Sequence, residues 1–375
     1  MPGTSERLRY THPSHVMPSI RLEKAKDICL PLFELMGCSS VEANSVVDNL
    51  LQAEKMGHSS HGVGMVPRYV ESFIKGYLRP NMSVRFIRDS ESFLMLDGGL
   101  GFGQTLGLQA IDLAMKRASI SGSCIFTLSN AHHLGRRGAF AEFASHQGFI
   151  SILFANVISR PIVSPWGGKV GKHGTNPICI GIPRKFQPSF ILDFATSIVA
   201  QGKMRDAFNR KERVKQGLVK DYEGNDTDDP SSVVIPNSDG KFGSLYTFGE
   251  HKGAGLALAC EFLAGVLSGG GAFDPAKVKL PAIINNLFGV LIQPHQLKSD
   301  ESFFEEVERF ITWVKFSESQ SNDVEISVAG EPEFRNELKA DKVGLDIADE
   351  TLGQISLALS NLKKHLKHPG KDLRD

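Results

Sequence analysis

"DGGLGFGQTLG", residues 97–107, follows a strand-like apolar run and precedes a helix-like one, which is the setting of a dinucleotide fingerprint. Gly101 and Gly103 fit the opening of G-x-G-x-x-G, but Leu106 stands where the third Gly belongs and the next Gly comes one place late, at 107. No acidic residue closes a second strand about twenty residues on, where that fold holds the ribose. The stretch therefore reads as a tight turn with close backbone packing, and a Rossmann site is set aside.

Outward from this turn, from about 84 to 247, short apolar runs are broken by Gly, Pro and Asn. SFLMLD (92–97), CIFTLSN (124–130), FISILFANV (149–157), PICIGIP (177–183) and SFILDFAT (189–196) have strand length and strand composition. TLGLQAIDLAMKRA (105–118) and RGAFAEFASHQ (137–147) between them read as helices, and polar, turn-rich 221–240 reads as a long surface loop. Both chain ends are helical. SSVEANSVVDNLLQAEKMG (39–57) opens on a capping box, Ser39 with Glu42, and ends on Gly57, while Val307, Phe310, Ile311 and Val314 repeat at helical spacing. The expected layout is a discontinuous, mainly helical unit from 1–80 and 248–375 around a sheet unit at 81–247.

Composition removes several functions. The 375 residues suffice for two or three compact units, and 41% hydrophobic with 22% charged residues excludes disordered and fibrous classes. Lys+Arg and Asp+Glu balance at 42 each, so the basic footprint of a nucleic-acid partner is missing. The five cysteines (29, 38, 124, 179, 260) are widely spaced and without CxxC pairs, which suits core thiols of a reducing compartment. MPGTSERLRYTHPSH (1–15) lacks an apolar signal core, and GLALACEFLAGVLSG (255–269) is interrupted by Glu261 and too short for a bilayer. A cytoplasmic protein without a membrane partner is expected.

The chemistry-bearing residues lie at element ends. His132 and His133 follow CIFTLSN, where α/β sheets collect ligands, and an imidazole there can exchange a proton near neutral pH. His132 reads as a turn residue with its ring in water. Arg136 and Arg137 at a helix start are poor neighbours for a positive dipole end unless an anion sits with them. His61 lies in HSSHG, a loop whose Ser59, Ser60 and Gly62 allow close approach of a small ligand. Asp193 ends one strand, Thr175 and Asn176 precede another, His251 and Lys252 open a helix, and Gly330 with Pro332 suits a helix entry. No dense metal-ligand pattern accompanies the histidines, so no metal is expected.

Read in order, SHGVGMVPRY, SNAHHLGRRG, GFISILFANV, GGKVGKHGTNP, LDFATSIVAQGK, HKGAGLALACEFLAGVLSGG and AGEPE resemble the signature blocks of the malate/L-lactate dehydrogenase family of the non-Rossmann type, in particular its hydroxycarboxylate dehydrogenase branch. The resemblance implies an α+β fold: an NAD(P)-binding unit on a mostly antiparallel sheet, a helical unit from both chain ends, and a homodimer. It also implies roles. His133 matches the proton donor/acceptor, and His61 a position lining the substrate and nicotinamide. Gly135, Arg136 and Arg137, Ile191, Leu192, Asp193, Phe194 and Ala195, His251, and Gly330, Glu331, Pro332 and Glu333 match cofactor-binding blocks. Ser60, Thr175 and Asn176 are assigned to the substrate side. Two positions depart: Met65 stands where many relatives carry a carboxylate-clamping Arg, and Ala254 where a Tyr is usual. Arg68 and Arg137 are then the candidate clamps.

The implied reaction is reversible hydride transfer between NAD, or alternatively NADP, and a 2-oxo/2-hydroxy acid pair. His133 as imidazolium would protonate the nascent alkoxide, with Asp193 or His61 orienting the imidazole or polarising the carbonyl. Two other classes compete: a catalytically silent binding protein of the same fold, and a metal-dependent hydrolase or lyase using the histidine pairs.

Overall fold

Helices open the chain, and their ends follow the local chemistry. In the computed structural model, which describes residues 19–186, 188–274, 283–319 and 325–368, the order begins α1 (Leu22–Leu35), α2 (Ser40–Lys55) and α3 (Val66–Ile74). The N-terminal stretch read for a leader lies outside the described residues. At α2 the Ser39 hydroxyl accepts from the Glu42 N–H at 3.2 Å, but the Glu42 carboxylate accepts from Asn81 N–H instead of closing the box. Gly57, at φ 82°, ends the helix in the left-handed conformation.

The middle runs β1 (Arg85–Asp89), β2 (Phe93–Asp97), α4 (Gly103–Ser121), β3 (Ser123–His132), α5 (Gly138–His146), β4 (Ile150–Ile158), β5 (Ile178–Ile182), β6 (Phe190–Phe194) and α6 (Gln201–Asn209). There follow β7 (Val219–Lys220), β8 (Asp226–Thr227), α7 (Ser231–Val234), β9 (Ser244–Leu245) and α8 (His251–Cys260), which continues as a π-helical turn over Glu261–Val266. Then come β10 (Ile284–Ile292), α9 (Asp300–Lys315), α10 (Glu331–Val343) and α11 (Asp349–Lys367).

Seven strands form one sheet in the order β1-β2-β3-β10-β4-β5-β6, antiparallel throughout except for the β2/β3 pair. The central strand β10 comes from the segment that sequence reading gave to the helical unit. INNLFGVLI has strand length, but its Asn pair and Gly mask the apolar run. Residues 221–240 are likewise more than a surface loop. They contribute β8 and α7, and the three-stranded sheet β8-β7-β9 encloses a small core of Val163, Val219, Val233 and Leu245.

The main cores are separate. Leu32, Phe33, Val46, Leu50 and Tyr69 pack with Ile355, Ala358 and Leu362, so this core draws on both chain ends. A second core, including Leu96, Leu106, Phe126, Phe140 and Leu287, lies between the sheet and helices α4 and α5. The glycines of 97–107 do what the failed fingerprint suggested: a Cβ on Gly103 would strike the carbonyls of His132 and His133, and one on Gly98 would press on Ala131. The turn thus lies directly against the end of β3.

Candidate active site

That strand end is irregular. The β3/β10 register shifts between Asn285 and Leu287, Asn130 takes φ 54°, and the Asn286 side-chain oxygen accepts from Asn130 N–H at 2.8 Å. Such a bulge re-aims the residues that follow it. His132 turns into the core, completely buried, whereas His133 lines a cavity of about 320 Å³. The expectation of a His132 ring in water is therefore corrected. Neither of its ring nitrogens has a hydrogen-bond partner, and burial pushes its pKa down to about 3.

His133 is held by two residues that sequence reading missed. Gln104 Nε2 donates to Tyr69 Oη at 2.7 Å, and Tyr69 Oη lies 2.7 Å from His133 Nδ1. With one hydroxyl lone pair taken by Gln104, the phenolic hydrogen is free to point at Nδ1, which leaves the imidazole proton on Nε2. Tyr69 and Gln104 are fully buried, and burial holds the phenol well above its ordinary pKa. Burial, then the charges of Arg137 and Arg205 and the neighbouring His132, hold His133 well below the usual imidazole range. The neutral form of His133 is thus favoured in the ligand-free protein.

His61 stacks on His133, ring centroids 5.5 Å apart and planes inclined by 14°. Arg137 Nη1 lies 3.0 Å from His61 Nε2 and can only donate, so Nε2 accepts and Nδ1–H donates to Ser60 Oγ, 3.0 Å away. Burial and Arg137 keep this ring neutral as well. The turn beneath it rests on Glu54, whose carboxyl accepts from Val63 N–H at 2.8 Å; burial raises the Glu54 pKa to about 8.

Asp193 touches neither imidazole, which corrects its expected role of orienting one. One carboxylate oxygen accepts from Gly138 N–H at 2.7 Å, at the start of α5, and the other lies 3.7 Å from Arg137. The anion inferred at this helix start is thus the protein's own. Arg136 is equally occupied: it is 2% exposed, makes a two-pronged pair with Glu142, and does not line the cavity.

The other predicted cofactor blocks lie outside the cavity lining and are tied to one another in pairs. Ile191 N–H donates to Ala329 O at 3.2 Å, so the 191–195 strand runs beside Gly330, the left-handed cap of α10. Glu333 pairs with His58 at 3.5 Å, while Glu331 is engaged by Lys315 and Arg184. His251, at the exposed start of α8, follows Phe248, whose N–H donates to Thr196 O. Ser60 and Thr175 line the cavity. Asn176 does not: at φ 34° its side chain donates to Glu261 at 2.8 Å and to Ala257 O, and accepts from Val157 N–H, inside a buried network that includes Asn156 and Asn286. Its assignment to the substrate is corrected to a structural one. Glu261, which interrupts the apolar run in the sequence, is the acidic centre of that network.

Four arginines line the cavity: Arg68, Arg137, Arg160 and Arg205. With a half-apolar wall that includes Ala155, Val157, Pro177 and Ile283, the site suits a small anion with a planar partner. Among the described residues, no group of three His, Cys, Asp or Glu side chains is placed to hold a metal. No helix of the described residues is long and apolar enough to cross a membrane.

Residues 20–356 match the family model described as malate/L-lactate dehydrogenase. The chain is 36% identical to the hydroxycarboxylate dehydrogenase B of Escherichia coli K12, over 84% of this chain and 86% of the relative. It is 32% identical to the L-lactate dehydrogenase of Cupriavidus necator, over 86% and 91%. The solved sulfolactate dehydrogenase of Methanocaldococcus jannaschii superposes with a TM-score of 0.78 at 30% identity, covering 92% of this chain and 97% of that one.

Proposed function

Since this chain belongs to the malate/L-lactate dehydrogenase family, we propose that it reduces a 2-oxo acid to the 2-hydroxy acid, reversibly, with His133 as the proton donor and acceptor. The observation that carries this is the Gln104–Tyr69–His133 chain, which ends at a cavity lined by cations. A nicotinamide fits the residues present: apolar Ala155, Val157 and Pro177 for a flat ring, and Thr175 for a carboxamide. His61, the end of β6 with Ala195, His251 and the Gly330–Glu333 entry of α10 would hold the rest of the cofactor. When bound in reduced form, it supplies the hydride to the carbonyl carbon.

The chain's own residues manage the proton. Burial first, and then the charges of Arg137 and Arg205, favour the neutral form of His133 in the free site, and a carboxylate arriving beside the arginines offsets their part of that shift. Proton uptake is therefore coupled to binding of the oxo acid. In the charged ring Nδ1–H donates to the Tyr69 oxygen, which still accepts from Gln104 Nε2, and the phenolic hydrogen turns away from Nδ1. The proton exchanged with substrate is the one on Nε2, the ring nitrogen that Tyr69 does not engage, and it is given or regained there as the reaction runs in either direction. His61, fixed by Arg137 and Ser60, packs against the acid–base ring and limits its tilt.

NAD is the proposed cofactor. Arg136 is occupied by Glu142, and Arg137 by Asp193, His61 and the Gly135 carbonyl, which leaves neither for an additional phosphate. The partner is a second copy of the chain: Leu258, Phe262 and Val266, at successive i+4 positions, are 48–60% exposed on the outer face of α8 and its π-turn. Light scattering should give twice the mass of 41.0 kDa, and Phe262→Glu should lower it. The five unpaired thiols support a cytoplasmic location.

The test is oxidation of NADH and NADPH against a panel of 2-oxo acids. Wild type should turn over with NADH preferred, and a folded His133→Ala variant should lose at least about a hundredfold. NADH binding without turnover on any acid would favour the silent-binder reading instead.

A further inference from the structure

The four cavity arginines differ in what holds them. Arg68 pairs with Glu71, Arg137 donates to Gly135 O and faces Asp193, and Arg160 donates to Val233 O while lying over the ring of Phe242. Among the described residues, the hydrogen bond that Arg205 makes is to the thioether of Met65, at 3.9 Å, a weak acceptor for a guanidinium. Its placement is built into the fold. Gly202, one turn earlier on α6, has no room for a Cβ because Ser60 lies against it, and Ser59 Oγ donates to Asp206 at 2.8 Å. These two contacts fasten α6 to the turn that carries His61, and Arg205 enters the cavity close enough for its charge to act on His133. A cation fixed next to the acid–base imidazole, with no oxygen ligand of its own, is a site that an anionic substrate group completes.

We propose that Arg205 is the residue that binds the carboxylate of the 2-oxo acid, with Met65 serving as the apolar rest that keeps its guanidinium aimed into the cavity in the free protein. This inference rests on the reductase reading for the identity of the acid but concerns a residue outside every block that suggested that reading. It also explains how α6 takes part: substrate bridges α6 to the end of β3, which fixes the carboxylate and the carbonyl oxygen, two of the three points that decide which carbonyl face receives the hydride.

The experiment compares wild type with Arg205→Leu and Arg205→Lys, using oxalate as a non-reducible carboxylate probe in calorimetric titrations with NADH present. Oxalate should bind Arg205→Leu about 10- to 100-fold more weakly, the loss expected for a charge-assisted pair. The Lys variant should fall between, and NADH affinity should stay within about twofold. Added guanidinium ion should restore part of the oxalate binding to Arg205→Leu, which a purely structural arginine would not permit. Oxalate binding to Arg205→Leu within about threefold of wild type, or no oxalate binding to wild type, would overturn the assignment. Arg205-dependent oxalate binding in a wild type that reduces no acid would uphold this inference and count against the reductase reading.

Discussion

Replacing Tyr69 with Phe removes one oxygen and leaves the ring in place, so it isolates the role of the hydroxyl in the Gln104–Tyr69–His133 chain. In wild type both hydrogen bonds to that oxygen are 2.7 Å long, and Tyr69 and Gln104 are fully buried, so no water is at hand to replace it. When His133 carries its second proton, Nδ1–H must donate to something; in the Phe variant it cannot. A hydrogen bond to a charged group is worth about 1.5–3 kcal/mol, and at about 1.4 kcal/mol per factor of ten the charged donor becomes roughly 10- to 150-fold harder to form. Reduction of the oxo acid should fall by that factor, and its pH profile should shift toward acid, because a still lower pH is needed to charge the ring. NADH affinity should be unchanged. The stranded Gln104 amide costs stability too, about 1–3 kcal/mol, so rates are to be compared on protein that a melting curve shows to be folded. A kcat/KM within about threefold of wild type, with the same pH profile, would refute the relay.

Glu54 offers a stability prediction with a defined sign. Its folded pKa of about 8 exceeds the ordinary value of 4.5, so between these limits the unfolded chain ionises while the folded one stays protonated, and stability falls as pH rises. Glu54→Gln keeps an acceptor for Val63 N–H and removes the penalty; urea midpoints should be similar at pH near 5 and favour the variant by a few kcal/mol near pH 8. An equal difference at both would sink the idea. His132 has the opposite dependence: its folded pKa, about 3, lies below the ordinary value of 6.5, so stability is full above the higher value and declines below it. His132→Leu should flatten that acid decline, seen as melting temperatures that converge less steeply from pH 7 to pH 5. Arg136→Met, which leaves Glu142 with a partly buried and unpaired charge, should cost about 3–5 kcal/mol in chemical denaturation. A loss below about 1 kcal/mol would mean that Glu142 finds water.

What could be read in the sequence was local. Ser39 and Gly57 delimit α2, the spacing of the glycines in 97–107 rejects a Rossmann turn, and five of the sheet strands follow from short apolar runs. The dipole at the start of α5 correctly demanded an anion, but the anion is Asp193, which β6 delivers from 55 residues away, rather than a ligand. Tyr69 reaches His133 across 64 positions and Gln104 reaches Tyr69 across 35. Each looks like an ordinary helix residue until tertiary packing buries its polar atom. Arg205 gave no signal for the same reason, since a cation's lack of a partner is a property of three-dimensional surroundings. β10 was hidden by Asn285 and Asn286, which interrupt an apolar run, yet these are the residues that form the bulge and hold Leu134 and Asn130.

The paired histidines make sense once that bulge is included. In a strand, successive side chains point to opposite sides, so one of two adjacent histidines must enter the core if the other is to face the cavity. His132 takes the inner place, edge-on to Tyr69 with ring centroids 5.4 Å apart at 79°. It therefore acts on His133 through Tyr69: its ring confines the phenol whose hydroxyl decides which nitrogen of His133 holds the proton. A small aliphatic residue at 132 would give the phenol room to tilt, whereas an imidazole that burial keeps from charging packs as a flat aromatic against it. The cost is two unpartnered ring nitrogens in the core. On this account His132→Leu gains stability in acid and loses turnover, and the two effects come from the same contact.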